Sequence, residues 1–177
     1  MKKDYKGDFV AMERDVLKFW DENKSFEKLK EQNKKTGKYY AFLDGPITAN
    51  NEMKLHHAWN RSLKDIMLRF KGMQGFDAHY QNGFDAQGLW VEVNVEKALG
   101  LQGKPDIMKY GMDKFTEECM SRVKYFAGRI TEQSKRLGQW MNWDDSYMTN
   151  SDNNITSIWY FLKKCYDKGW LIEKYRP

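Results

Sequence analysis

Cysteine is scarce in this chain: only Cys119 and Cys165 occur among 177 residues. Two thiols do not make a disulfide framework, and these lack the paired spacing of a zinc site. Both fall on the apolar side of helical patterns, so buried free thiols are expected. Long hydrophobic runs are missing too. No stretch approaches the roughly 20 apolar residues of a membrane helix, and no secretory leader pattern opens the chain. A cytoplasmic protein with no membrane partner is therefore expected. Internal repeats and low-complexity tracts are lacking. Neither of the usual phosphate-binding fingerprints is present, Gly-x-Gly-x-x-Gly or the Walker Gly-Lys-Ser/Thr loop. Phosphate, if bound, has to be held another way.

What is present suits one folded, water-soluble domain. The hydrophobic fraction is 41%, the aromatic fraction 15% and the charged fraction 31%, and the mean hydropathy is -0.86. A length of 177 residues is enough to bury a real core. The net charge of +5 is compatible with a polyanionic partner, but many basic proteins bind none. The cations between Lys24 and Lys38 alternate with Glu27 and Glu31, which is the pattern of a solvated helix face.

One stretch organises the rest, from Tyr39 to Gly88. Tyr39, Tyr40, Ala41, Phe42 and Leu43 form an apolar, aromatic run that reads as a strand buried on both faces, and Asp44-Gly45-Pro46 stops it. Leu55, Trp59, Leu63, Ile66 and Phe70 then recur at helical spacing, with Arg61, Lys64, Asp65 and Arg69 on the other face. A helix therefore begins near His56. Strand, loop and helix put His56 and His57 in a first helical turn, where unpaired N–H groups and the positive dipole end attract phosphate. Two imidazoles there would stabilise charge developing on a nucleotide triphosphate. The plainer alternative is a pair of surface histidines at an ordinary helix start.

Around this stretch the patterns are helical. Phe9, Met12, Val16, Phe19 and Trp20 make an N-terminal stripe, and 32–38 reads as a polar loop. Residues 89–99 mix strand and helix periods; a helix ending at Gly100 is the preferred reading. Residues 101–105 read as a linker, and Phe115 to Ile130 as part of a long amphipathic helix reaching about Leu137. Met141 to Asn150 reads as a turn in which Asp144 and Asp145 act as turn and cap residues rather than an acid–base pair. Ser151 and Asp152 cap a last helix that ends at Gly169, and Trp170, Leu171 and Ile172 open what reads as a further strand.

The runs FLDGPITAN, HHAWNRSLKDIMLRFKGMQGFD and NGFDAQGLWVEVNVEKALG resemble the first half of the catalytic domain of the isoleucyl-tRNA synthetases, a class I aminoacyl-tRNA synthetase family. The flanking segments resemble it too, so the likeness covers nearly the whole chain. It implies an α/β fold: the first half of a Rossmann-like catalytic domain in 37–177, ending near the start of an editing insertion, preceded by an N-terminal helical arm in 1–36. The class signature is His-x-Gly-His, whereas this chain has Lys54, Leu55, His56 and His57. A bacterial second type carries a rearranged Gly-x-His-His; the last two positions match it, and Lys54 replaces its small residue. A lysine there would clamp triphosphate, or fill the space the nucleotide needs, or point into solvent.

The resemblance also implies roles. His56 and His57 would be catalytic and, with Lys54 and Asn50, would bind ATP. Asp85 would hold the ammonium of the amino acid, with Gly45, Pro46, Phe84 and Gln87 around it. Asp85 also fits a turn residue bonding its own backbone; in this context the ligand role is preferred. Gln87 and Phe84 stand where the commoner pattern has histidine and tryptophan, so Gln87 cannot transfer protons near neutral pH. The implied activity is ATP-dependent activation of isoleucine and its transfer to tRNA, with Mg2+ arriving on ATP and no protein-held metal. The second class I signature, Lys-Met-Ser-Lys-Ser, does not occur; the chain resembles half an active site, and the remaining domains of the same synthetase are expected partners. The alternatives are a stand-alone paralogue that binds nucleotide or tRNA without catalysis, and a valyl or leucyl relative.

Overall fold

The structure, a computed structural model, describes residues 6–175. The first residues of the expected arm, 1–5, and the last two of the expected catalytic half-domain lie outside that range. In chain order the elements are α1 (Phe9–Glu22), α2 (Ser25–Lys34), β1 (Tyr39–Tyr40), β2 (Ile47–Thr48), α3 (Leu55–Met73), β3 (Asp77–Ala78), β4 (Gln81–Asp85), α4 (Leu89–Leu99), α5 (Lys104–Tyr110), α6 (Met112–Arg136), β5 (Asn142–Met148) and α7 (Asp152–Asp167). The fold is α/β, with parallel strand pairs β1·β3 and β2·β4. The chain forms two compact units: 6–44, 53–81 and 129–143 make the first, and 45–52, 82–128 and 144–175 the second.

In the first unit, Asp8 caps α1 by accepting the Ala11 N–H at 2.9 Å. The N-terminal stripe does not continue as one helix. Lys24 adopts a left-handed backbone, φ +48°, which ends α1 and restarts the chain as α2. Asn33 on α2 is buried, and its amide donates to the carbonyls of Gly72 and Phe76, both at 2.9 Å, tying α2 to the end of α3. The core gathers Leu68, Ala78, Tyr80 and Met141, with Phe26, Tyr40, Phe42 and Trp143 packed against them. Gly72 permits this: a Cβ there would stand 3.1 Å from the Tyr80 hydroxyl.

One expectation for this unit is corrected. The strand before the Gly-Pro turn is only Tyr39–Tyr40, and Tyr39 and Leu43 are exposed; with β3 also two residues long, the ladder has nothing further to pair with. The helix after the turn does begin at Leu55, but its apolar stripe faces outward. Leu55, Trp59, Leu63, Ile66 and Phe70 are each more than half exposed, while Arg61 is 3% exposed and Leu68 fully buried. The buried face carries Arg61, Leu68 and Gly72, because Arg61 finds a polar partner inside and Gly72 allows close approach.

The second unit holds a three-stranded sheet in the order β2-β4-β5. Ile47 pairs with Phe84 and Thr48 with Asp85. Tyr147 lies against Gly83, with its ring where a Cβ would stand, 2.2 Å from it. Val95, Ile107 and Phe115 form a second core with Leu99, Leu101, Tyr110 and Cys119 around them, each fully buried apolar side chain contributing about 1.5–3 kcal/mol. The helix 89–99 is present and ends as expected on Gly100, φ +70°. The expected linker is cut short by α5, with Gly103 before it and Pro105 in its first turn. Residues 142–148 form a strand rather than a turn, and Asp144 and Asp145 lie along it, both exposed. Ser151 caps α7 by accepting the Asn154 N–H. Residues 170–172 form no strand. Cys119 and Cys165 are free thiols, as expected, but only half-buried.

Candidate active site

The expected site residues fall into two sets, one in each unit. Lys54, His56 and His57 belong to the first; Gly45, Pro46, Asn50, Phe84, Asp85 and Gln87 belong to the second.

In the first set, the start of α3 is shaped by backbone. Lys54 is its N-cap, in an extended conformation. The Lys54 N–H donates to Nδ1 of His57 at 3.2 Å. This is half of a capping box, with imidazole in the acceptor role usually taken by Glu or Gln; the Lys54 ammonium has no lone pair with which to complete the other half. The bond fixes the His57 tautomer. With Nδ1 accepting, neutral His57 carries its proton on Nε2. The His56 and His57 rings lie 3.9 Å apart at 57°, with His56 exposed and His57 half-buried. Burial lowers the His57 pKa from its ordinary value, and the neighbouring His56, Lys54 and Arg61 charges lower it further. Lys54 is exposed.

Residues not singled out as site residues hold this turn. Met53, just before the cap, donates its N–H to Oε1 of Gln133 on α6 at 2.7 Å. Arg61, one turn beyond His57, donates to Oε1 of Gln139 at 3.0 Å. Burial lowers its pKa and Asp44 opposes that. Asp44, which follows the apolar run at the start of the Gly-Pro turn, is buried and lies 2.6 Å from Lys64. No local signal marks Gln133 or Gln139, which approach only through the fold; Asp44 and Lys64 are legible individually but not as a pair.

In the second set, Asp85 ends β4. Its Oδ2 accepts the hydroxyl of Thr48 at 2.9 Å and its Oδ1 the backbone N–H of Gln87 at 3.0 Å. The second contact is the expected turn bond of Asp to its own backbone, so it accompanies any ligand role and does not replace one. Thr149 contributes from beyond β5: its hydroxyl accepts the Ala86 N–H at 2.9 Å and lies 3.4 Å from Asp85 Oδ1. Gly45 and Gln87 are exposed and Pro46 half-buried. Phe84 is 3% exposed, so its ring belongs to the core of the unit. Asn50 is also buried. Its amide donates to the Trp90 carbonyl at 2.9 Å and accepts from Arg122 at 2.7 Å, so in this structure it braces the loop. Arg122 also reaches Asn51, at 3.1 Å.

Among the described residues, no group of three or more His, Cys, Asp or Glu side chains is arranged to hold a metal ion, and no helix is long and apolar enough to cross a membrane. The two sets of residues offer hydrogen bonding and charge. One set presents imidazole N–H at a helix N-terminus; the other presents an oriented carboxylate.

Comparison with known proteins gives the family. The model of class I tRNA synthetases (I, L, M and V) matches residues 15–177. The isoleucine–tRNA ligase of Pyrococcus horikoshii is 44% identical over 164 residues, covering 92% of this chain and 15% of that protein. That of Clostridium kluyveri is 39% identical over 175 residues, covering 99% and 17%, and that of Thermobifida fusca 41% over 169 residues, covering 96% and 16%. The chain thus spans about a sixth of the length of these curated relatives.

Proposed function

The chain belongs to the class I tRNA synthetase family (I, L, M and V), and on that premise we propose that it is the N-terminal catalytic segment of an isoleucine–tRNA ligase. Residues 37–177 supply the first half of the nucleotide-binding domain and 1–36 the arm before it. Its substrates are isoleucine, ATP carrying Mg2+, and tRNA, and the remaining domains of the same polypeptide complete the site in the cytoplasm.

In the proposed reaction an isoleucine carboxylate oxygen attacks the α-phosphorus of ATP. The bond from that phosphorus to the bridging oxygen breaks and pyrophosphate leaves; a hydroxyl of the terminal ribose of tRNA then attacks the acyl carbon of the adenylate, gives up its proton, and AMP departs as the bond from the acyl carbon to the phosphate oxygen breaks. His57, neutral and with its proton on Nε2, donates to phosphate oxygen together with His56 and the first N–H groups of α3. Lys54 adds a positive charge at the same helix end. Asp85 accepts the substrate ammonium, and Gly45 and Pro46 flank the side chain, with Gln87 beside them.

The observation that carries this reading is the Lys54 N–H bond to His57 Nδ1. The contact serves as a helix cap and, in doing so, keeps the proton of neutral His57 on Nε2, the form in which the ring can donate to a phosphate oxygen. The names of all three relatives support isoleucine as the amino acid. The test is isoleucine-dependent exchange of labelled pyrophosphate into ATP by the full-length protein that contains this segment. His57→Ala is expected to lower the exchange rate about a hundredfold. Exchange that proceeds without isoleucine, or that His57→Ala leaves unchanged, refutes the assignment.

A further inference from the structure

We propose that Thr48 is a positioning residue for the amino-acid ammonium, acting through Asp85, with Thr149 securing the same carboxylate from its other side. The proposal rests on the reading of Asp85 as the acceptor of that ammonium, and it concerns what makes Asp85 fit for the task.

A carboxylate at the end of a strand rotates about its side-chain torsions unless something stops it, and a rotating acceptor binds an ammonium poorly. Here both oxygens are engaged. Thr48 is the register partner of Asp85 across the parallel β2·β4 pair, so the two side chains stand next to one another on the sheet. Its hydroxyl donates to Oδ2 at 2.9 Å. The Gln87 N–H takes Oδ1 at 3.0 Å, which leaves lone pairs on both oxygens facing other directions.

Thr149 is itself held in place. Its N–H donates to the Phe84 carbonyl at 3.1 Å, and its carbonyl accepts the Asn154 amide at 2.8 Å. Its hydroxyl already accepts the Ala86 N–H. A hydroxyl has a single proton, and the carboxylate oxygen nearest to it is Asp85 Oδ1, at 3.4 Å. Three segments, β2, the β4 end and the β5–α7 junction, therefore converge on one carboxylate. A carboxylate that served only to cap its own turn would need the Gln87 N–H alone.

The test uses the full-length protein in the same pyrophosphate exchange assay, with KM read separately for isoleucine and ATP. Thr48→Val keeps shape and removes the hydroxyl; it is expected to raise the isoleucine KM about tenfold, the loss of one hydrogen bond to a charged group, and to leave the ATP KM within twofold. Thr48→Ser, which keeps the hydroxyl, is expected to restore the isoleucine KM. A deaminated isoleucine analogue, with the carboxylate and side chain but no ammonium, is expected to inhibit the parent and Thr48→Val proteins equally. The proposal is overturned if valine and serine variants are weakened alike, or if the analogue loses affinity in step with isoleucine, since either outcome indicates packing and not orientation. It is also overturned if Asp85→Asn raises the isoleucine KM and Thr48→Val does not. An isoleucine KM unmoved by Asp85→Asn removes the reading of Asp85 itself, and the proposal with it. Thr149→Val provides the second variant, with the same split between isoleucine and ATP expected.

Discussion

The guanidinium of Arg69 lies over the indole of Trp140, its central carbon 4.0 Å from the ring centroid. The same group lies 4.9 Å from the Trp20 ring centroid, donates to the Gly138 carbonyl at 2.5 Å and pairs with Asp65. Asp65 in turn accepts the backbone N–H of Trp140 at 3.0 Å. One side chain therefore ties α1, α3 and the segment after α6 together within the first unit. Arg69→Lys keeps the charge but loses the planar fork and the stacking. It is expected to destabilise by about 1–2 kcal/mol, read as a lower urea midpoint at unchanged slope.

Asp44 makes a sharper case. Its side chain is 1% exposed and lies 2.6 Å from Lys64, with the buried Arg61 charge also within its field. Asp44→Asn leaves cations without their counter-charge, and a cost of about 3–5 kcal/mol is expected. Lys64→Met should cost less, because Lys64 is already 29% exposed. Chemical denaturation of the two variants side by side checks the order.

The lowered His57 pKa has a pH consequence with a definite sign. In the folded chain burial, then the charges of His56, Lys54 and Arg61, disfavour the imidazolium; in the unfolded chain the ring titrates near 6.5. Just below that value the unfolded state binds more protons, so this residue's contribution to stability is present above it and is lost as pH falls through the folded pKa. An NMR titration of the His57 ring should give a midpoint below 6.5, and Lys54→Met should move it upward. A midpoint above 6.5 in the parent chain contradicts the reading.

Cys119 should be a slow nucleophile. Burial raises its pKa, Glu92, Glu118 and Glu96 raise it further, and Arg122 opposes them. Alkylation by iodoacetamide at pH 8 is expected to be several-fold slower for the folded chain than for a free thiol, because less thiolate is present. In denaturant the rate should return to the free-thiol value.

The parts of the fold legible from sequence are those governed by local rules. The helix 89–99 with Gly100 after it, the long α6 and the Ser151 cap of α7 each follow from periodicity and capping residues within a few positions. The outward stripe of α3 was not legible. Periodicity reports that Leu55, Trp59 and Leu63 share a face, but not which face meets the core; Arg61 goes inside because Gln139 and Asp44 wait for it, and neither is local. Nor was β5 legible: an Asn-Trp-Asp-Asp start offers no alternation, and the strand forms because it pairs with β4. Of the candidate site, His57 and Asp85 were visible as residue types in their turns. The threonine and glutamine side chains that hold those turns arrive from elsewhere in the fold and leave no mark beside them.

The close fit of Gly83 and Tyr147 reaches beyond this one molecule. Because the ring fills the volume a side chain at position 83 would need, the two positions form one unit of inheritance although they are far apart in the chain. A larger residue at 83 requires the Tyr147 ring to swing aside or be lost, whereas a smaller residue at 147 requires nothing of Gly83. The dependence between the two positions therefore runs one way, from 83 to 147.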